Sequence, residues 1–214
     1  MLGLVIGLAS PALAYGAIVH YSCVAQGYYG SAKLVGYGTQ ARLYIYPKQS
    51  PQDGDWVNSI YGGNMYGAFY EAGWYWAPNV SLTPWVFTHL YDGVTHSERL
   101  KTTSLAPGTR HYFRVANNAV DFTYRAYVDG QLIDTWYNTT IRSSYPCVGS
   151  ERYDTRDYNK GQLQYVSYLH TVSPETWVYW ADAAINNDTD PNYHPYFNYL
   201  DRSDHYIYVD DHQN

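Results

Sequence analysis

Two glutamates sit where a strand-like sequence would normally carry something else. Glu71 lies in YEAGWYW (70–76) and Glu151 in VGSE (148–151). A carboxylate inside so aromatic a run is a misplaced surface residue, a ligand contact or a catalytic group. Two carboxyl groups that face one another cannot both ionise easily, so one holds a proton while the other keeps its charge. Such a pair suits general acid–base work on an activated water. Rival constellations are weaker. There is no HEXXH and no GxSxG elbow, and the eight histidines follow no motif, which leaves a Ser/His/Asp triad open. NNDTDPN (186–192) alternates oxygen-bearing side chains without the full calcium-loop pattern, and Asp53-Gly54-Asp55 reads as an ordinary turn. The sequence therefore names no metal ligand and no cofactor.

The elements that must position these groups are strands. ARLYIYP (41–47), WVNSIY (56–61), AFYEAGWYW (68–76), PWVFTHLYDG (84–93), GTRHYFRVA (108–116) and FTYRAYVDGQLIDTW (122–136) are short alternating runs between turn residues. Residues 166–168 and 177–180 extend the series. Asp129-Gly130 between β-rich arms marks a two-residue hairpin. No segment keeps a helical period, so the expected fold is all-β, an antiparallel sandwich of jelly-roll type or a barrel. Alternation along 68–76 puts Glu71, Gly73 and Tyr75 on one face and Tyr70, Ala72, Trp74 and Trp76 on the other. Gly73 leaves room for a close approach to the backbone. Trp56 and Tyr75 are candidates for holding an extended substrate.

With 46% hydrophobic and 15% charged residues the chain is globular, and 214 residues suffice for one large β domain. A net charge of −6 without a Lys/Arg cluster argues against nucleic acid as a partner. The apolar start, MLGLVIGLASPALA (1–14), is too short to span a membrane and resembles a signal-peptide core ending in a small-residue cleavage site, although a basic leader is missing. A buried first strand is the other reading of this run. The expectation is secretion, with residues 1–14 as a signal remnant, 15–180 as the sandwich and 181–214 as an irregular or partly ordered extension of the same domain. Cys23 and Cys147 fit an exported protein with one disulfide, or two thiols that stay reduced.

In chain order, several motifs resemble the neprosin-type glutamic peptidases. EAGW (71–74) is similar to their Glu-Ala-Gly-Trp signature, PWVFTHLYDG (84–93) to a strand and loop that follow it, and YRAYVDGQLIDTW (124–136) to their Trp-rich strand pair. VGSE (148–151) stands where that family has Gly-Gly-Glu. The similarity runs over roughly 35–180, with Ser150 in place of a glycine and Arg152-Tyr153 in place of a small apolar pair. It implies a concanavalin-like sandwich, shared with the related fungal glutamic peptidases, and an endopeptidase acting on polypeptides at acid pH. Glu151 would then activate water and a protonated Glu71 would donate to the scissile carbonyl. Two other readings use the same face. Aromatic rings on a concave sheet suit a polysaccharide in a non-catalytic lectin-like module, and two facing glutamates also serve a glycoside hydrolase.

Overall fold

The computed structural model describes residues 21–29, 32–33, 35–47, 56–63, 68–76, 83–118, 121, 123–137, 146–152, 160–180, 182–188, 197–201 and 206–210. Among them every regular element is a strand, and the strands form two antiparallel sheets. Numbered in chain order, the first sheet runs β14 (Asp182–Asp188), β1 (Tyr21–Tyr29), β11 (Pro146–Arg152), β4 (Trp56–Gly63), β5 (Phe69–Trp76), β6 (Trp85–Tyr91), β7 (His96–Ser104). Short β2 (Ala32–Lys33) pairs with β1. The second sheet runs β10 (Gln131–Trp136), β9 (Thr123–Val128), β8 (Arg110–Asn118), β3 (Gly38–Tyr44), β12 (Lys160–Val172), β16 (Tyr206–Asp210), β15 (Phe197–Asp201), with β13 (Glu175–Tyr179) beside β12. The expected jelly-roll type of β-sandwich is the observed architecture.

The core lies between the sheets and follows the period of two. Tyr70, Ala72, Trp74 and Trp76 enter from β5, with Ile60, Val86 and Val148 from the strands around it. Ala41, Leu43, Phe113, Val115, Tyr124 and Ala126 enter from the second sheet. Fully burying a Leu, Ile or Phe side chain stabilises by roughly 1.5–3 kcal/mol, so Leu43, Ile60 and Phe113, each at 0% exposure, are major contributors. Tyr70 bridges the layers, with its ring 5.2 Å from Tyr124 and 6.1 Å from Trp136.

Turn chemistry matches the sequence. Asp129 and Gly130 both take positive φ (50° and 79°), the two-residue hairpin geometry whose twist suits β9 and β10. At 92–95 the Asp92 carboxylate accepts from the backbone N–H groups of Val94 and Thr95 at 2.8 and 2.7 Å, and Gly93 supplies a φ of 99°. That turn joins β6 to β7.

Two further expectations concern the tail and the cysteines. Residues 181–214, expected as an irregular or partly ordered extension of the same domain, include β14 of the first sheet and β15 and β16 of the second. The two cysteines are on neighbouring strands but out of register: Cys23 faces Ser150 and Cys147 faces Gln26. Three residues of offset is about 10 Å along the strands, beyond the roughly 7 Å between Cα atoms that a disulfide tolerates. The register therefore does not bring them together. The proposed signal segment, 1–14, lies outside the described residues.

Candidate active site

The face of the first sheet turned away from the core carries the chemistry. Cross-strand pairing arranges it in ladders. Cys147, Tyr61, Glu71, His89 and Glu98 form one ladder across β11, β4, β5, β6 and β7. Gly149, Ser59, Gly73 and Phe87 form the next, and Glu151, Val57, Tyr75 and Trp85 the one after. Glu71 and Glu151 thus hold register positions of like parity in one sheet, with a ladder rich in small residues between them. They are not opposite one another. β4 separates their strands, and four residues of offset put them about 13 Å apart along the strand direction and about 10 Å across it.

Glu71 is buried, at 3% exposure, and is paired across the strand with Tyr61 (1%). Its Oε2 lies 3.2 Å from His89 Nδ1, which the β5–β6 register places directly across the strand. His89 Nε2 lies 3.0 Å from Nδ1 of His96 on the first position of β7. Rings hold both imidazoles in place. Phe69 meets His89 edge-on at 5.2 Å, and Tyr91 stacks on His96 at 4.2 Å. Partial desolvation and the neighbouring His89 hold the His96 pKa below the usual imidazole range, outweighing the opposite pull of Asp92.

A protonated imidazole at this distance would favour the ionised form of Glu71, and burial of the carboxyl works in the opposite direction. Sequence reasoning did not single out His89 or His96. A signal was present, however: the Asp92-Gly93 turn fixes the β6–β7 hairpin, and aligning FTHL antiparallel to EAGW puts His89 against Glu71.

The other candidates divide. Gly73 shares the outer face with Glu71, as alternation requires, and it is buried. Tyr75 shares that face too, with its ring centre 6.2 Å from that of Trp85. Trp56 takes the register position opposite Trp76, in the parity of the core column and not that of Glu71. Among the described residues no three His, Cys, Asp or Glu side chains are grouped to hold a metal ion.

No family model matches the chain, and no curated protein does. Solved structures do. Scytalido-glutamic peptidase, crystallised with a peptide-based transition-state analogue, superposes with a TM-score of 0.62 over 90% of this chain and 98% of that one, at 10% identity. A second crystal structure of that enzyme, with a transition-state analogue inhibitor, gives 0.61 over the same shares at 10% identity. The chain has a glutamic-peptidase-like fold. SCP-B, an eqolisin-family peptidase solved with the tripeptide Ala-Ile-His, agrees with a TM-score of 0.59, 9% identity and coverage of 90% and 98%. At these identities the likeness concerns the fold; the neprosin-type resemblance has no matching family model behind it.

Proposed function

We propose that this protein is an exported endopeptidase of the glutamic type, with Glu71 and Glu151 as its acid–base groups. One observation carries the reading. Glu71, a buried carboxylate beside an imidazole, stands one small-residue ladder away from the Glu151 ladder, in a fold that glutamic peptidases match over nine-tenths of the chain. Burying such a pair stabilises a fold little, because desolvation offsets the attraction, so its presence in this sheet supports a chemical role.

From the register spacing we draw a different division of labour from the one expected from the sequence. Register positions this far apart would let the two residues flank a bound segment. A substrate chain seated over Gly149, Ser59 and Gly73 would have one glutamate on each side. Glu71, kept ionised by His89, takes a proton from the attacking water, and Glu151, protonated, donates to the developing oxyanion. Acid pH favours this division, since Glu151 must hold its proton while Glu71 keeps its charge. The burial of Glu71 and Ser59 means that a substrate reaches them only by displacing what packs over this face.

Casein digestion at pH 3–5 tests the reading. Loss of a general base or acid costs about 10²–10⁴-fold, so Glu71→Gln and Glu151→Gln should each fall by that order. Undiminished cleavage by either variant removes that residue from the mechanism. Polysaccharide binding without any proteolysis would support the lectin-like alternative instead.

A further inference from the structure

His89 does more than sit beside Glu71. It is the middle of an unbroken line of polar atoms from a carboxylate at 3% exposure to an exposed imidazole at the start of β7. We propose that His89 and His96 form a proton relay joining Glu71 to solvent at the β6–β7 hairpin, with His89 as a positioning residue and His96 as the exit. Only the consequence for turnover rests on the peptidase reading; the relay itself does not.

The 3.0 Å contact between His89 Nε2 and His96 Nδ1 holds one proton, so one nitrogen donates while the other accepts. When His89 is an imidazolium it donates from Nδ1 to Glu71 and from Nε2 to His96, and His96 is neutral with its proton on Nε2. The depressed pKa of His96 agrees with that assignment. Transfer outward balances in three steps made together. A proton on Glu71 Oε2 passes to His89 Nδ1, the His89 Nε2 proton passes to His96 Nδ1, and the His96 Nε2 proton leaves to water. The transfer starts from a protonated Glu71 and two neutral imidazoles that each carry their proton on Nε2. Three N–H or O–H bonds break and three form, leaving Glu71 as the carboxylate and the released positive charge on water.

Other titratable groups around His89 are few among the described residues. Glu71 faces it from β5, with Tyr61 and Cys147 further along the ladder on β4 and β11. On β7 it meets His96 and is paired across the strand with Glu98, while Tyr91 and Asp92 flank the turn. Among these, Glu71 is the one carboxylate in contact distance of His89 on the buried side. The line leads away from the small-residue ladder. A proton can therefore be exchanged at the hairpin without passing the substrate seat.

Histidine side-chain NMR with ¹⁵N labelling, between pH 3 and 8, tests this on the intact chain. In Glu71→Gln the anion is gone, and the His89 imidazolium should give up its proton about tenfold or more readily, which is one pH unit or more. In His96→Gln, a change at an exposed position, the His89 protons should exchange with water about tenfold or more slowly. An unchanged His89 midpoint in the first variant, or unchanged exchange in the second, overturns the relay. Casein cleavage on the same samples separates the two ideas. Coupled titration with no cleavage leaves the relay standing and removes the peptidase, whereas cleavage with uncoupled titration does the reverse.

Discussion

At the scale of the residue, glycines show how steric context decides a cost. A Cβ at Gly38 would lie 2.2 Å from the Val115 carbonyl oxygen and 2.8 Å from Ala116 Cα, both backbone atoms of the paired strand β8. Neither can turn aside as a side-chain tip can. Gly38→Ala should therefore cost about 3 kcal/mol, by forcing β3 from β8, and a lowered urea midpoint measures it. Gly93 gives the contrast. Nothing lies within 4 Å of its Cβ position, so Gly93→Ala meets only the strain of a left-handed φ, about 1–2 kcal/mol. A Gly38→Ala variant no less stable than Gly93→Ala would contradict the β3–β8 register.

At the scale of the element, Asp134 ties the two sheets at one edge. A register shift between Leu132 and Asp134 places Asp134 opposite Ala126, a core residue, instead of on the outer face. From there its carboxylate accepts from Thr88 at 2.6 Å and lies 2.9 Å from Lys101 and 3.0 Å from Arg99, on β6 and β7 of the other sheet. Arg99 also covers the Trp136 ring at 3.5 Å. Burial alone would raise the Asp134 pKa, but the Thr88 and Lys101 hydrogen bonds and the two cations lower it instead. Removing one partner of such a cluster strands the others. The partners are partly solvated, so Asp134→Asn should cost about 2 kcal/mol and not the larger penalty of a sealed pair. The sign of the pH dependence follows. A carboxylate with a depressed folded-state pKa contributes fully above its unfolded value and loses that contribution as pH falls through the folded one. The gap in urea midpoint between wild type and Asp134→Asn should be constant from pH 5 to 7 and shrink below about pH 4. A gap independent of pH would mean that the clamp is not ionic.

At the scale of the molecule, the sheets are interleaved along the chain. The first takes strands β1, β2, β4–β7, β11 and β14, and the second takes β3, β8–β10, β12, β13, β15 and β16. No contiguous half of the sequence contains a complete layer. Residues 182–210 supply strands to both, with β14 pairing along β1 and β16 along β12. Deleting 181–214 would uncover the edges of β1 and of the first part of β12 together, and exposed edges template aggregation. The shortened chain is expected to lose its cooperative urea transition and to elute as aggregate in gel filtration. A monomeric, cooperatively folding product would show that the tail is dispensable to the sandwich.

What the sequence determined by itself was local. Alternation in YEAGWYW assigned Tyr70, Ala72, Trp74 and Trp76 to the core and Glu71 to the other face, since side-chain period along a strand needs no knowledge of neighbours. Turn residues marked the Asp129-Gly130 hairpin for the same reason. Which strand lies beside which, and in what register, is fixed only when two distant stretches pack, because backbone pairing is available to every strand alike. Tertiary structure therefore decided that Glu71 meets His89 and that four residues of offset separate it from the level of Glu151. It also decided that Cys23 and Cys147 are three steps out of register, and that a bulge turns Asp134 inward to join the sheets.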